Sequence, residues 1–248
     1  MEATRVRLEQ RIRRQPSMTR QVRMALCEDI ADGTLAQCER IVVERLAERF
    51  GVSPTPVREA VAGLIQDGLI GETFDGKLRV VPLTRDYVLD TFAVRSVLEG
   101  LASELAATRI SAADLATLSQ ALQDTTAALA RGDYAVYMTT DTLFHGLIGT
   151  AAGNPVLTRE LQSLQVHVAY IRGYAQRHVG EHMARSHQEH GQVVDALTDR
   201  DPLAARQAME QHIRQSGERI AQLIEYEEGR ERFVEGGNGA AKARRSMP

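Results

Sequence analysis

Apolar residues in the first third of the chain recur every three to four positions, the spacing that places them on one face of an α-helix. This pattern predicts helices over Thr19–Ala31, over Val43–Phe50 and from Pro54 onward. Gly51 begins the short connection between the second and third helices, where glycine suits a tight backbone. The third helix has one apolar and one polar face. Its predicted buried residues are Val57, Ala60, Val61, Leu64 and Ile65.

Two short extended stretches follow the third helix. Leu69–Phe74 and Leu78–Val81 flank Asp75-Gly76, a dipeptide that is typical of β-hairpin turns. Three helices followed by a two-stranded wing predict a winged helix-turn-helix over residues 19–83, in which the third helix would enter the major groove of DNA. Ser53 is predicted to cap that helix, and Pro54 to occupy its first turn.

The rest of the chain shows only helical periodicity. Six helices with short connections are predicted, and short connections favour an antiparallel bundle. An all-α bundle over residues 84–228 makes the predicted fold mainly α. Residues 229–248 are predicted to be a disordered tail, and residues 1–18 a basic, flexible arm. The predicted bundle helices are Thr84–Thr108, Ser111–Arg131, Asp133–Ala152, Asn154–His178, Glu181–Thr198 and Pro202–Glu228.

Charge is distributed unevenly, although the whole chain carries a net charge of only −3. The first 85 residues hold 14 basic and 12 acidic residues, so the excess of acidic residues lies in the remainder. A basic arm ahead of a helix-turn-helix suits contacts with DNA phosphates, but basic termini are also common as solvated segments, and both interpretations stay open. The arginines concerned are Arg5, Arg7, Arg11, Arg13, Arg14, Arg20 and Arg23.

Two further features bear on where the protein works. No run of about 18 apolar residues occurs, and no apolar segment follows the basic N-terminal residues, so the sequence predicts neither a membrane span nor export. We therefore expect a cytoplasmic protein. Cys27 and Cys38 are too few for a disulfide framework and are predicted to be reduced and structural, with a thiol sensor as the alternative.

The segment around the predicted turn resembles a known family. Leu46–Ala60, with the sequence LAERFGVSPTPVREA, is similar to the signature of GntR-family transcriptional regulators. Tyr87–Ala106, which includes Val94–Gly100, resembles the opening helix of the FadR-type (FCD) effector domain found in that family. The resemblance covers residues 19–225. It implies a homodimer that binds a palindromic operator in double-stranded DNA, commonly as a repressor, and that responds to a small organic or sugar acid.

Six residues are predicted to contact DNA. Thr55 and Arg58 match the family pattern at the start of the third helix and are the leading candidates. Two positions depart from that pattern: Pro54 replaces an arginine that would read guanine, and Glu44 stands where the family often has arginine. We therefore expect the operator to differ from the family's usual one. The six candidates are Ser53, Thr55, Arg58, Arg45, Gly76 and Lys77.

A candidate metal site lies in the predicted bundle. Asp141 and His145 are four residues apart on one helix, so they share a face. His190 and His212 lie beside apolar residues on two later helices, which would turn both side chains inward. One carboxylate and three imidazoles suit Zn, Ni, Mn or Fe(II) with an open coordination position. The same residues stand where metal-binding FCD domains carry their ligands. A structural polar cluster is the alternative.

Other side chains are candidates for the surroundings of this site. Arg95, on the first bundle helix, is predicted to pair with the charge of an acidic effector. Arg172 and Tyr174 are predicted to line the effector cavity, together with His167 and Tyr170. The remaining histidines are expected to be solvated, with His187 also a possible substitute ligand. These are His178, His182 and His187.

The sequence contains little that indicates an enzyme. His187 and His190 are three residues apart, whereas metallopeptidase helices place their two histidines four apart. No phosphate loop, dinucleotide-binding fingerprint or nucleophile elbow is present. We therefore predict a regulator. A direct metal-responsive regulator and, more remotely, a metal-dependent hydrolase are the alternatives, because an open metal position can activate water.

Overall fold

The computed structural model describes residues 16–176 and 181–244, with side chains described over residues 16–175 and 183–226. In these residues the chain forms nine helices and one two-stranded sheet. It divides into two compact units, with the boundary between Pro82 and Leu83. The predicted arm up to residue 15, His178 and the side chain of His182 lie outside the described residues.

The N-terminal unit consists of three helices and a β-hairpin. The helices are α1 (Met18–Asp32), α2 (Val43–Phe50) and α3 (Pro54–Gln66), and the antiparallel strands are β1 (Ile70–Glu72) and β2 (Leu78–Val80). This arrangement confirms the predicted winged helix-turn-helix. Helices α1 and α3 pack against each other. Their buried apolar residues are Val22, Leu26, Ile30, Val57, Ala60, Val61 and Leu64.

Helix α3 begins at Pro54 as predicted, but its cap and the burial of Ile65 differ from the prediction. Ser53 makes no capping hydrogen bond with its side chain, so the predicted cap is wrong. A capping hydroxyl accepts from the second or third amide of a helix, and Pro56, at the third position, has no N–H to donate. Ile65 was predicted to be buried but is 40% exposed, because it lies at the margin of the apolar face that Val57 and Leu64 define.

The turn between α2 and α3 depends on Gly51. This residue has a φ of 65°, in the left-handed region, and its amide donates to the carbonyl oxygen of Glu48 at 3.2 Å. A left-handed residue commonly ends a helix in this way, and glycine adopts the conformation without strain. The turn therefore has the chemistry that the sequence predicted.

The hairpin loop spans residues 73–77 and makes both strands shorter than predicted. The amide of Thr73 donates to the carbonyl of Lys77, and the amide of Gly76 donates to the carbonyl of Thr73, both at 2.8 Å. Asp75 and Gly76 lie in the turn, as predicted, with Gly76 at a φ of 73°. Phe74 belongs to this loop and not to β1.

The C-terminal unit is built only from helices in its described residues, which confirms the predicted all-α bundle. Helix α4 is central, since it packs against four of the other five helices. Each helix corresponds to one that the periodicity predicted. They are α4 (Arg85–Ala107), α5 (Ala112–Leu129), α6 (Tyr134–Ala151), α7 (Pro155–Gln176), α8 (Glu181–Thr198) and α9 (Pro202–Arg244).

The last helix continues beyond its predicted end. The sequence placed that end at Glu228 and predicted disorder beyond it, whereas α9 runs to Arg244; residues 245–248 lie outside the described residues. The tail contains several glycines, each of which costs a helix about 1 kcal/mol relative to alanine, but no proline that would stop it before Pro248. Alanines near its end, including Ala240 and Ala241, favour helix.

Helices α4 and α9 approach each other very closely. A Cβ atom added to Gly217 on α9 would lie 2.7 Å from the Cβ atom of Phe92 on α4, which is closer than two carbon atoms can pack. Glycine at this position therefore permits the contact that brings the two helices together. No helix in the described ranges has both the length and the hydrophobicity that a bilayer span requires.

Candidate functional site

Four buried side chains from three helices of the C-terminal unit meet at one point. Asp141 and His145 lie one turn apart on α6, His190 is on α8 and His212 is on α9. The Nε2 atoms of His190 and His212 are 3.2 Å apart, and Asp141 Oδ1 lies 3.6 Å from Nε2 of both His145 and His190. One nitrogen from each histidine falls within 4.8 Å of the others. The structure thus brings all four predicted ligands together.

Two glutamates fix the rings of two of these histidines. Glu99 Oε2 contacts Nδ1 of His145, and Glu189 Oε2 lies 2.8 Å from Nδ1 of His212. Because a carboxylate accepts hydrogen bonds, Nδ1 of each ring carries a proton, and Nε2 of a neutral ring presents its lone pair to the cluster. Carboxylate–histidine pairs of this kind orient imidazoles toward metals in many proteins.

Each glutamate is in turn held by an arginine. Arg95 Nε lies 2.5 Å from Glu99 Oε1. Arg219 binds both oxygens of Glu189, at 2.6 and 2.8 Å, and also donates to the hydroxyl of Ser186 at 3.0 Å. A buried carboxylate needs such a partner, because burial without one is costly. We call Arg95–Glu99–His145 and Arg219–Glu189–His212 the two orienting chains.

The polar atoms of the cluster fit a divalent cation. His145 Nε2 is buried and has no hydrogen-bond partner, which is rare for a buried polar atom. His190 Nε2 must donate to His212 Nε2, and this leaves His190 Nδ1 as a second buried nitrogen without a partner. One carboxylate and three imidazoles are a suitable donor set for Zn, Ni, Mn or Fe(II). A cation would satisfy the lone pair of His145.

The surroundings set the charges of the cluster. Burial lowers the pKa of His212, and burial is also the largest cause that lowers the pKa of His190 far below its ordinary value. Burial alone would raise the pKa of Asp141, but Arg172, 2.5 Å away, holds it well below its usual range. Burial likewise opposes protonation of His145, but the Glu99 carboxylate raises the pKa of that imidazole. Neutral pH therefore favours an ionised Asp141 and neutral rings for His190 and His212, the states that metal ligands need. The raised pKa of His145 favours its imidazolium, so this ring would release its Nε2 proton when an ion binds.

Aromatic rings close the site around His190. The Phe144 ring packs on the His190 ring, with 4.1 Å between their centroids. The Tyr137 ring is parallel to the His190 ring, with 6.2 Å between their centroids. The Tyr137 hydroxyl donates to Asp141 Oδ1 at 3.1 Å. Burial raises the pKa of Tyr137, so its hydroxyl stays protonated and remains a donor.

Two cavities border the cluster, and Arg95 and Arg172 line both. The first has a volume of about 60 Å³ and is also lined by Asp141, His212 and Arg219. The second has a volume of about 360 Å³ and lies on the side of His145. Its wall contains hydroxyl and amide side chains, which are Thr142, Thr150, Thr158, Gln162 and Gln165.

Other residues that the sequence proposed for the cavity lie elsewhere. Tyr174 is half-buried on α7 and lines neither cavity. His187 Nε2 lies 2.8 Å from the Thr126 hydroxyl, so the structure does not bring His187 into the cluster as a substitute ligand. His167 Nδ1 is 2.5 Å from the Tyr87 hydroxyl, a pair that no sequence pattern indicated.

Sequence reasoning missed three members of the orienting chains. Glu99 lies one helical turn after Arg95, and this i, i+4 spacing was the signal for their ion pair. Glu189 directly precedes His190 but bonds a histidine on a different helix, and Arg219 lies seven residues after His212. Neither spacing indicates which helix the side chain will face, so only the packed structure places them.

The predicted DNA-contacting residues lie on the surface of the N-terminal unit. Ser53, Thr55, Arg58 and Arg45 are all exposed. Arg58 Nη2 lies 3.1 Å from Glu44 Oε1, and both side chains are more than half exposed. Glu44, which departs from the family pattern, therefore pairs with the leading candidate for DNA contact.

The wing places its two candidates in the hairpin loop. Gly76 is exposed, and the side chain of Lys77 is 41% exposed. The Lys77 ammonium contacts Asp75 Oδ2, and the Asp75 carboxylate also accepts from the Thr73 hydroxyl. The hydrogen bond from Lys77 lowers the pKa of Asp75 more than any other contact does.

Family comparisons agree with this two-unit architecture. The model for bacterial regulatory proteins of the gntR family matches residues 18–73, and the FCD domain model matches residues 90–215. The chain belongs to the GntR family. As a GntR-family protein with an FCD domain, it is a DNA-binding transcriptional regulator.

Relatives of this GntR-family protein are regulators too. It is 31% identical over 196 residues to a protein of Paenarthrobacter nicotinovorans described as a probable D-xylose utilization operon transcriptional repressor, covering 78% of this chain and 84% of that one. It is 29% identical over 205 residues to the HTH-type transcriptional regulator YdhC of Bacillus subtilis (strain 168), covering 82% and 89%. These matches confirm the prediction of a regulator and not an enzyme.

A solved structure shares the fold of this GntR-family protein. McbR/YncC of Escherichia coli has a TM-score of 0.70 to it at 23% sequence identity, covering 84% of this chain and 99% of that one. The likeness extends over both units and supports the mainly α architecture.

Proposed function

We propose that this GntR-family protein is a ligand-responsive repressor that binds a palindromic operator as a homodimer in the cytoplasm. A small carboxylate metabolite, held in the metal-containing helical domain, would control its affinity for DNA. The observation that carries the proposal is the buried convergence of Asp141, His145, His190 and His212 beside two arginine-lined cavities. Repression is supported by the relative from Paenarthrobacter nicotinovorans, which is described as a repressor.

A divalent ion is the first part of the proposed mechanism. Asp141 and the three histidines would hold Zn, Ni, Mn or Fe(II), and the bound ion would supply an open position for a carboxylate oxygen. The orienting chains keep the protons of His145 and His212 on Nδ1, so that their Nε2 atoms remain available as ligands.

The cavities indicate the chemistry of the effector. Arg95 and Arg172 are paired with Glu99 and Asp141, but a guanidinium has five N–H donors, so each arginine retains donors for a second carboxylate. The hydroxyl and amide side chains of the larger cavity suit the hydroxyl groups of a ligand better than a hydrocarbon chain. We infer a small organic or sugar acid as the effector.

The proposed DNA interface comprises the start of α3 and the wing. Thr55 and Arg58 would position α3 in the major groove, with Ser53 and Arg45 beside them. Gly76 and Lys77 would approach the DNA from the wing. Because a two-fold dimer places two such units on DNA, its operator would be palindromic.

Exposed apolar residues on α4 support the homodimer. Val94 and Val97 are 53% and 56% exposed and lie three residues apart, so they share one face of the helix. Neighbouring exposed apolar side chains on a bundle helix are typical of a protein contact, and a two-fold axis would place the same face of the partner against them.

Metal analysis followed by ligand titration tests the proposal. The purified protein is assayed for metal by mass spectrometry, and its thermal midpoint is measured with a panel of dicarboxylic, tricarboxylic and sugar acids, before and after chelation. We expect one ion per chain and at least one acid that raises the midpoint and weakens operator binding only in the metal-loaded protein. If the purified protein holds no metal and no acid raises its thermal midpoint, the cluster is a structural polar network and the proposal is wrong.

A direct metal-responsive regulator is the second candidate, and the cluster itself is the observation that favours it. A metal sensor changes its operator affinity when the ion alone is added. An acid-controlled regulator changes its affinity only when acid is added to protein that already holds the ion. Titrating each alone and then both together distinguishes the two.

A further inference from the structure

The wing presents one large apolar side chain entirely to solvent. Phe74 has a relative exposure of 111%, the highest of the large apolar residues in the described parts of the chain. Most exposed apolar residues here are partly covered; Met24 on α1, for example, is 51% exposed. Phenylalanine is usually buried in folded proteins, because withdrawing its ring from water stabilises the fold. The position of Phe74 therefore does nothing for the packing of its own unit.

The loop that carries Phe74 is held by its own hydrogen bonds. The Thr73 hydroxyl lies 2.5 Å from Asp75 Oδ1 and 2.8 Å from the carbonyl oxygen of Lys77. Backbone bonds between Thr73 and Lys77 and between Gly76 and Thr73 close the turn. The loop thus presents the aromatic ring from a defined backbone, and a partner that binds the ring need not first order the loop.

The charges of the loop do not favour a mainly electrostatic contact. Lys77 is its only basic residue, and its ammonium contacts Asp75. Glu72, at the end of β1, adds a second acidic group. The tip of the wing therefore has no net positive charge with which to attract phosphates. The group of this loop that is best suited to contact a partner is therefore the apolar ring of Phe74.

We propose that Phe74 inserts as an apolar wedge into the minor groove of the operator and partly unstacks a base step there. Minor-groove proteins use phenylalanine, leucine and similar side chains in this way, and the wedge kinks the duplex. Flexible pyrimidine–purine steps unstack most easily, so Phe74 would give specificity at positions where no hydrogen bond is made. The proposal depends on DNA binding, which family membership establishes, and not on the metal or the effector.

The chain connectivity allows the wing to reach that groove. Three residues, 67–69, connect α3 to β1, and Phe74 lies two residues beyond the end of β1. An extended chain spans about 3.3 Å per residue, so the eight residues from the end of α3 to Phe74 set an upper limit of about 26 Å on this distance, and the turn at Gly68 shortens it. Half a turn of DNA, which separates a major groove from the next minor groove, is about 17 Å.

The test compares variants of the full-length protein on an operator fragment selected from a random DNA library. Binding is measured by fluorescence anisotropy over a range of salt concentrations, and 2-aminopurine is placed at pyrimidine–purine steps beside the α3 contact to report unstacking. The variants are Phe74→Ser, which removes the wedge, and Phe74→Leu, which keeps one. Met24→Ser is the control, because it removes another exposed apolar side chain of the same unit.

We expect Phe74→Ser to bind the operator about tenfold more weakly, which corresponds to about 1.4 kcal/mol. Its salt dependence should be unchanged, since no phosphate contact is lost. The 2-aminopurine signal that the wild type produces should disappear with Phe74→Ser and persist with Phe74→Leu, while Met24→Ser behaves as wild type. The thermal midpoint should not change, because the ring contacts nothing in its own unit.

Three results would overturn the proposal. Wild-type affinity and 2-aminopurine fluorescence in Phe74→Ser would show that the ring does not enter the groove. A change in the sedimentation of Phe74→Ser without DNA would assign the ring to a contact between protein chains instead. Affinity loss in Phe74→Ser without any wild-type unstacking signal would likewise exclude a wedge.

Discussion

The Nε2 atoms of His190 and His212 lie 3.2 Å apart, although the two residues are on different helices. Two imidazole lone pairs at this distance would repel each other, so the rings must share either a proton or a cation. Glu189 fixes the proton of His212 on Nδ1, and the shared proton of the metal-free protein therefore comes from His190. Metal and proton compete for one position between the two rings.

This competition predicts the effect of removing one ligand. His212→Gln should lower metal affinity at least about tenfold and blunt the response to an acidic effector, because one of four donors is lost. Metal content by mass spectrometry and operator binding with and without acid provide the measurements. His187→Gln is the matched control, since His187 bonds Thr126 and lies outside the cluster. Equal metal loss in both variants would count against the ligand assignment.

The orienting chain through Glu189 gives a second prediction. Glu189→Gln keeps the size of the side chain but removes the charge that binds Arg219 and fixes the tautomer of His212. We expect a 10- to 100-fold loss of metal affinity, roughly what outer-shell carboxylates contribute. Competition with a fluorescent chelator would measure it. Glu218 is an exposed glutamate beside Arg219, so the control variant Glu218→Gln should bind metal as the wild type does. Unchanged metal affinity in Glu189→Gln would show that Glu189 does not orient His212.

Much of this site was predictable, and the missing part has a physical explanation. Asp141 and His145 could be paired from sequence because i, i+4 spacing fixes two side chains on one face of a helix. Glu189 could not be assigned to His212, since helical periodicity shows only that a residue faces inward and not which helix it meets. Pro56 removes one of the two amides from which a Ser53 cap could accept, a local conflict that was visible in the sequence, and Ser53 makes no capping bond.

The pairing of Arg58 with Glu44 gives a third prediction, for the DNA-binding unit. Arg58→Ala should abolish operator binding while metal content stays at the wild-type level, because the two sites lie in different units. Glu44→Gln should instead strengthen binding to random DNA, since a carboxylate that repels phosphates is removed, and lose part of its preference for the operator, since Arg58 is no longer held.

Anisotropy titrations with operator and random fragments separate these effects. Arg159→Ala serves as the control, because Arg159 is a highly exposed arginine of the helical unit. Loss of both DNA binding and metal in Arg58→Ala would indicate misfolding. An unaltered ratio of operator to random affinity in Glu44→Gln would show that the ion pair has no part in recognition.

The two cysteines should differ in reactivity. Burial raises the pKa of the Cys27 thiol, so little of it is thiolate near pH 8, whereas Cys38 is exposed. We expect iodoacetamide to modify Cys38 first, as followed by mass spectrometry. Both should react at similar rates in denaturant. Faster modification of Cys27 in the folded protein would contradict this order and revive the possibility that Cys27 is a thiol sensor.

The contact between Gly217 and Phe92 limits how the effector domain can respond. Helices α4 and α9 already touch where no methyl group could be inserted, and protein interiors resist compression. An effector lodged between residues of these two helices therefore has no means of drawing them closer. It can only slide one along the other, rotate them or push them apart. If an acid binds at Arg95 as proposed, α4 and α9 would respond by shear or by separation, and the contact between Gly217 and Phe92 is the closest approach from which that movement would start.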